Sequence, residues 1–151
     1  MAETPAILSS LYLPVIGKNL VLPNVTVAEI VDYQKPEAES GAPDWFLGNI
    51  QWRGVKLPVI SYDRLNGETE AGMPTLRRLA VINTISESHA QLPFFGVVTQ
   101  GIPRQVKIES EMIKEIESET GPADLMMVSI LGEDATVPNL EYIERQILQR
   151  R

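Results

Sequence analysis

The chain has 151 residues and no cysteine, and its 13 Lys and Arg against 20 Asp and Glu give a formal net charge of −7. This length fits one domain with a core of its own, and the lack of cysteine excludes disulfides and thiolate metal sites. The acidic balance argues against nucleic acid and anionic lipid as partners, because proteins bind both through basic surfaces.

The N-terminal part of the chain has the pattern of short strands separated by turns. Residues 1–6 are predicted to be disordered, and strands are predicted near residues 7–15, 20–22 and 25–31. Pro14, Gly17 and Pro23 interrupt the apolar residues of this part. It is therefore predicted to be neither a signal peptide nor a membrane span, and no membrane insertion is expected.

Two apolar runs in the middle of the sequence predict a β-hairpin. Residues 45–52 and 55–62 have the composition of strands, and Arg53-Gly54 separates them. A tight turn at this dipeptide places the Arg53 side chain at an exposed corner. Pro58 lacks an N–H, so the hairpin is expected at a rim of its sheet and not in the middle.

The second half of the chain continues with short strands. They are predicted near residues 77–85, 92–99, 104–108, 125–131 and 136–138. Residues 36–43 and 66–74 are rich in Pro, Gly, Glu and Ala and are predicted to be exposed loops. Many short strands at regular spacing are typical of barrels or sandwiches, so the sequence predicts a mostly β protein.

Two segments have helical periodicity. Residues 109–117 are expected to form a short helix or a loop with one helical turn, although like charges four residues apart weaken the helix. At the C-terminus, Asn139 is predicted to cap a helix that closes one end of a barrel. Its apolar face consists of Leu140, Ile143, Ile147 and Leu148.

No motif for catalysis or cofactor binding is present in the sequence. His89 is the only histidine and lies in a predicted loop, where it is more typical of a surface residue than of a triad base. Glycine-rich phosphate loops and metal-ligand spacings are absent, so no cofactor or metal is expected.

Two rival functions stay open at this point. A carboxylate-pair hydrolase can be built from Glu29, Asp44 or Asp63 beside Trp45 and Trp52, whose rings are able to stack on sugars. Two tryptophans on neighbouring strands are, however, more often anchors of a core or an interface. The second rival is a β-barrel module that binds a ligand or a single-stranded nucleic acid, which requires a basic, aromatic groove.

The central hairpin also carries a family resemblance. Gly48, Arg53, Gly54, Pro58 and Val59 match, one by one, the signature of the CheW-like adaptor domains of bacterial chemosensory systems. The segment Val27-Ala28-Glu29-Ile30 is similar to the family's V-x-E-I strand, residues 16–23 resemble its opening hairpin, and residues 94–98 resemble a later strand. The resemblance covers about residues 8–148.

This resemblance implies a fold and an organisation of the chain. The expected fold is mostly β, with two small five-stranded SH3-like β-barrel subdomains and a short C-terminal helix. Residues 7–151 would form a single CheW-like domain, with an approximate division between the subdomains near residues 66–76.

The resemblance also implies a function. The chain would be a non-enzymatic cytoplasmic adaptor that couples the cytoplasmic tip of methyl-accepting chemoreceptors to a histidine kinase, whose regulatory domain has the same fold. Arg53, Gly48, Val27 and Glu29 match positions implied in partner binding. Gly54 and Pro58 match positions that are implied to be structural.

The chain departs from the family pattern at several positions. Ser61-Tyr62 stands where members commonly carry Asp-Leu, Thr99 stands where Asp follows a valine, and Asn139 stands where Asp is frequent. These departures suggest a divergent member that serves a particular receptor or a non-flagellar pathway, such as pilus-driven twitching motility.

Overall fold

The computed structural model describes residues 7–67, 76–84 and 90–150, so the prediction of disorder for residues 1–6 lies outside the described residues. In chain order the strands of the first half are β1 (Ile7–Pro14), β2 (Asn19–Pro23), β3 (Val27–Asp32), β4 (Phe46–Trp52), β5 (Val55–Ile60) and β6 (Arg77–Asn83). They are followed by β7 (Phe94–Gln100), β8 (Arg104–Glu109), β9 (Ile113–Ile116), β10 (Asp124–Ile130) and β11 (Glu133–Pro138). The α-helices are α1 (Tyr62–Leu65) and α2 (Leu140–Gln149).

The strands form two sheets. The first sheet has six strands in the order β8-β1-β2-β11-β10-β9, and the second has five in the order β3-β6-β7-β5-β4. A mostly β fold with two sheet-based subdomains and a short C-terminal helix is therefore confirmed, and the first sheet has one strand more than expected. The chain enters the second sheet after Pro23 and leaves it after Gln100, so the predicted division near residues 66–76 does not coincide with a change of sheet.

The sixth strand comes from the segment that was expected to be helical. Residues 110–112 form a single 3-10 turn, and β9 then pairs antiparallel with β10, with Ile113 opposite Ile130 and Ile116 opposite Met127. A helix over residues 109–117 is therefore not formed, and only the alternative of one helical turn matches, at residues 110–112. Cross-strand pairing of the apolar residues that follow outweighs a weak local helical pattern.

The central hairpin has the predicted turn. Trp52 pairs with Val55, and the two residues between them have positive φ angles, 48° at Arg53 and 76° at Gly54. This combination defines a type I′ turn, whose twist matches that of the flanking strands. β4 is an edge strand, which confirms the rim position, while β5 also pairs with β7 from Val59 onward, just beyond Pro58.

One apolar core joins the two sheets and the C-terminal helix. It contains Leu13 and Leu20 of the first sheet, Ile60 and Phe95 of the second, and Ile143 of α2, each at most 2% exposed. Burial of one such side chain contributes roughly 1.5–3 kcal/mol, so this shared core holds the sheets together.

The helix prediction for the C-terminus is confirmed. The Asn139 side chain accepts a hydrogen bond from the Tyr142 backbone N–H at 3.1 Å, which satisfies one of the free donors of the first turn. Leu140, Ile143 and Ile147 are buried, and Leu148 is packed against the core at its margin.

The short helix α1 was not predicted and explains one departure from the family pattern. The Ser61 side chain caps it by accepting from the Arg64 N–H at 3.3 Å, which is the role that a capping Asp performs equally well. Tyr62 then points into the core and is 1% exposed.

Candidate functional site

Three of the residues at the rim of the second sheet form one cluster, which we call the Arg53 cluster: Glu29, Trp52 and Arg53. The Trp52 indole N–H donates to the Glu29 carboxylate at 2.8 Å, and the Arg53 guanidinium lies 3.2 Å from the same Glu29 oxygen. The Arg53 guanidinium also stacks on the Trp52 ring at 5.0 Å from its centroid. One glutamate therefore orients both the ring and the cation.

The position of the Arg53 cluster follows from the order of the strands. β3 carries Glu29 and β4 carries Trp52, and these strands are the two edges of the five-stranded sheet. A contact between opposite edges closes the sheet into a barrel through side chains. Trp52 itself is 8% exposed and packs edge-on against Phe94 at 4.9 Å between ring centroids.

Arg53 remains accessible although it is held in place. Its side chain is 67% exposed, whereas the Glu29 side chain is 37% exposed. An exposed ion pair of this kind contributes only about 0–1 kcal/mol to folding, so its main effect is to fix the direction of the guanidinium. The remaining N–H donors of a guanidinium suit a carboxylate or the carbonyl groups at a helix end.

Gly48 has a clear backbone role. It lies in a bulge of β4 with φ of 132°, and a Cβ there would be 2.3 Å from the carbonyl oxygen of Glu37. Glu37 and Asn49 exchange two backbone hydrogen bonds of 2.8 and 3.0 Å, so residues 37–39 run as a strap along the outer edge of β4. Gly48 is buried under this strap and about 16 Å along the strand from Arg53.

Val27 also lies apart from the exposed face of the cluster. A register shift in the β3–β6 ladder falls between Val27 and Glu29. Val27 packs against the shared core, while Glu29 reaches Trp52. The predicted set of Arg53, Glu29, Val27 and Gly48 therefore divides into an exposed pair and two positions with packing roles.

The strap is fastened by the C-terminus, which the sequence did not indicate. Arg150 donates to both carboxylate oxygens of Glu39 at 3.0 and 3.2 Å and lies 4.2 Å from the centroid of the Phe46 ring. The Asn49 side chain donates to Glu39 at 2.7 Å. The hydrogen bonds from Arg150 and then Asn49 lower the pKa of Glu39 below its usual value.

A second polar network was also missed and lies between the two sheets. Asp124 at the start of β10 accepts hydrogen bonds from Tyr62 Oη at 2.6 Å, Asn66 Nδ2 at 3.0 Å and Gly121 N at 2.9 Å. Lys18 Nζ lies 3.1 Å from the same carboxylate. Burial raises the pKa of Asp124, but these donors outweigh it and the net shift is downward, so the group is ionised at neutral pH.

The same network raises the pKa of Tyr62, through burial first and the Asp124 carboxylate second. Tyr62 therefore stays protonated and donates to Asp124. Tyr62 is the first residue of α1 and Asn66 follows its last, directly after β5, while Asp124 starts β10, so the network ties the second sheet to the first.

Two of the three carboxylates considered for hydrolysis, Glu29 and Asp63, have structural contacts on different elements. Asp63 accepts from the backbone N–H groups of Ile16 and Gly17 at 3.1 and 3.4 Å in the β1–β2 turn. Glu29 is held by Trp52 and Arg53 on the rim of the barrel. These contacts give both carboxylates a structural role.

Comparison with known proteins identifies the family. Residues 11–146 match the CheW-like domain. This chain belongs to the CheW-like domain family. Its members are chemosensory scaffold and adaptor proteins and not enzymes, so the expected non-enzymatic adaptor is confirmed and the hydrolase alternative is excluded.

A solved structure supports the fold of this CheW-like chain. The crystal structure of the scaffolding protein TtCheW from Thermoanaerobacter tengcongensis is similar with a TM-score of 0.73. The sequences are 15% identical over 91% of this chain and 90% of that chain. No curated protein matches the sequence as a relative. In the part of the chain that the structure describes, neither helix is long and apolar enough to cross a membrane.

Proposed function

We propose that this chain couples the cytoplasmic tip of methyl-accepting chemoreceptors to the regulatory domain of a histidine kinase. Arg53 is the residue that supports this best. It matches the family's Arg-Gly turn, it is 67% exposed, and Trp52 and Glu29 fix its direction before any partner arrives. An arginine that is ordered in advance loses little rotamer entropy on binding and is suited to anchor an interface.

The proposed contact with the receptor centres on Arg53 and Glu29. Val27 and Gly48 contribute through the shape of the two strands, since Val27 packs β3 on the core and Gly48 admits the strap that covers β4. Gly54 and Pro58 shape the hairpin that presents Arg53. We place the protein in the cytoplasm, and its departures from the family pattern favour a dedicated pathway, with twitching motility as one candidate.

The shared core gives the adaptor a mechanical property that suits coupling. Because one apolar cluster and the Asp124 network join both sheets, the second sheet cannot rotate against the first without exposing buried groups. A conformational bias that the receptor imposes at Arg53 is then transmitted to a kinase bound elsewhere on the same rigid body.

The test is calorimetric titration of the wild type and Arg53→Ala against a receptor-tip fragment and, separately, the kinase regulatory domain. At a central interface position we expect a loss of about 2 kcal/mol for the receptor, near thirtyfold in affinity, with kinase binding retained. Unchanged affinity for both partners would defeat the assignment.

Arg104 provides a matched control for this substitution. It also stacks on an aromatic ring, that of Tyr12 at 4.9 Å, it pairs with Glu133, and its side chain is 60% exposed. Arg104→Ala should leave receptor affinity within about twofold, since an exposed charge outside an interface contributes well under 1 kcal/mol. Thermal melts of both variants check that folding is unchanged.

A further inference from the structure

The end of the second sheet opposite the Arg53 cluster carries an exposed surface of its own. β3 and β4 run in opposite directions, so Trp52 at the end of β4 lies near the start of β3, whereas the end of β3 meets the start of β6 and the end of β7. We call the surface at that opposite end the distal face and define it by Tyr33, Lys35, Leu76, Arg77 and Ile102.

Two aliphatic side chains are unusually exposed on the distal face. Leu76 is 73% exposed and Ile102 is 74% exposed, and both line a cleft of about 430 Å³. The Gly101 N–H donates to the Leu76 carbonyl at 2.6 Å, which fixes the two segments relative to each other. Exposed aliphatic side chains that line the same cleft mark a binding site more often than an isolated exposed leucine does.

A stacked tyrosine and arginine form a ridge beside this cleft. The Arg77 guanidinium lies 4.1 Å from the centroid of the Tyr33 ring, and the body of Tyr33 packs against the core of the second sheet. Both residues also line a second cleft of about 490 Å³, together with Lys35 and Leu47. Tyrosine and arginine that are held rigidly between pockets are the residue types that carry most binding energy in interfaces.

The charge of the distal face is opposite to that of the chain. The whole protein has a formal net charge of −7, yet within the described residues neither Lys35 nor Arg77 has a carboxylate at ion-pairing distance. The neighbouring Arg78 is neutralised by Asp32 at 2.9 Å. Within the described residues, Arg77 on the ridge and Lys35 beside it are therefore two exposed cations without an ion pair.

From this combination we propose that the distal face binds a protein segment that carries acidic residues beside apolar ones. The aliphatic groups would fill the two clefts, and a carboxylate would pair with Arg77 on top of the Tyr33 ring. A basic segment is disfavoured by like charge on this face, and an anionic membrane or nucleic acid is disfavoured by the charge of the whole molecule. This proposal does not depend on Arg53 or on the identity of the receptor.

The probe is a synthetic amphipathic peptide of Glu, Leu and Ala with Leu at helical spacing, titrated into the 15N-labelled full chain. The same peptide with Lys in place of Glu is the control for charge. We expect amide shifts that concentrate at Tyr33, Leu76, Arg77 and Ile102, with binding weakened by added salt because the charges are partly exposed. The Lys peptide should bind at least tenfold more weakly.

Matched variants separate the distal face from general surface effects. Arg77→Glu and Leu76→Asn should each weaken the acidic peptide at least tenfold. Arg104→Glu, which removes another stacked arginine, and Leu131→Asn, which removes another leucine of 76% exposure at a turn of positive φ, should leave binding unchanged.

The proposal is overturned by absence of binding at millimolar peptide, by equal binding of the Lys peptide, or by shifts that map elsewhere. Two further results would replace the proposed occupant. Shifts at the distal face that depend on protein concentration without peptide would assign it to a second copy of the chain. Flotation with anionic phospholipid vesicles that is lost in Arg77→Glu would assign it to a membrane surface.

Discussion

Replacement of Asp124 is expected to be among the most destabilising changes in this protein. Its carboxylate accepts from Tyr62, Asn66 and Gly121 and lies beside Lys18, and its side chain is only 1% exposed. Asp124→Ala removes the acceptor of Asn66 Nδ2 and of the Gly121 N–H, while Tyr62 Oη retains only the Ala123 carbonyl at 2.9 Å. Each buried polar group without a partner costs about 1–3 kcal/mol. Removal of one member of a buried charged pair costs about 3–5 kcal/mol overall, a large part of a typical stability of about 5–15 kcal/mol.

Urea denaturation of Asp124→Ala and the wild type measures this loss directly. The control is Asp32→Ala, which removes an ion pair of similar length, 2.9 Å to Arg78, from a residue whose side chain is 91% exposed. That control should cost less than about 1 kcal/mol. A loss for Asp124→Ala no larger than that of Asp32→Ala would refute the argument that the network holds the sheets together.

The pH dependence of this loss has a definite sign. The folded-state pKa of Asp124 lies below its unfolded value, so the folded state binds fewer protons and the carboxylate stabilises it above about pH 4. As the pH falls through the lowered pKa, the carboxylate becomes protonated in both states and this stabilisation is lost. The stability difference between the wild type and Asp124→Asn should therefore shrink on acidification; a difference that grows would contradict the assignment.

Three further changes test the elements that shape the second sheet and the C-terminus. Gly48→Ala should lower the free energy of unfolding, measured by urea denaturation, by about 2 kcal/mol or more, because the new methyl group meets the strap carbonyl. Gly54→Asn in the open type I′ turn should lower it by well under 1 kcal/mol. Asn139→Ala should lower the free energy of unfolding by about 1 kcal/mol through loss of the cap, and Asn139→Asp should be near neutral. Arg150→Ala should speed amide hydrogen exchange at Asn49, where the strap is hydrogen-bonded, with little change at the opposite end of the sheet. An equal increase in the exchange rate across the whole protein would count against a strap that opens separately.

The local sequence pattern was sufficient to predict those turns, caps and strands that depend only on residues close together in the chain. The Arg53-Gly54 turn, the Asn139 cap and most strands follow from turn chemistry, capping and apolar alternation within short windows. β9 was missed because its residues have helical spacing, yet they form a strand by pairing with β10. That partner lies outside any local window of sequence. α1 was missed because Ser61-Tyr62 differs from the expected pair while serving the same capping role.

The candidate site was predicted only in part, for a related reason. Arg53 and Glu29 were each identified, but their contact depends on β3 and β4 being opposite edges of one barrel. The sequence also gave no sign that Glu39 and Arg150, or Tyr62 and Asp124, meet across more than fifty positions. Pairs so distant in sequence are brought together by topology, and a single sequence contains no signal for them.

Closure of the barrel at Trp52 explains why the turn can present a charged side chain without becoming mobile. An arginine at the tip of an isolated hairpin would sample many rotamers, and a partner would have to order it at a cost of about 0.5–1.5 kcal/mol. Here Glu29 is anchored first by the buried indole N–H of Trp52, so the carboxylate that orients Arg53 is itself fixed by the core. The orientation of the exposed residue thus depends on the packed Trp52–Phe94 pair beneath it. If Arg53 anchors the receptor as we propose, loosening that pair should weaken receptor binding without any change in charge.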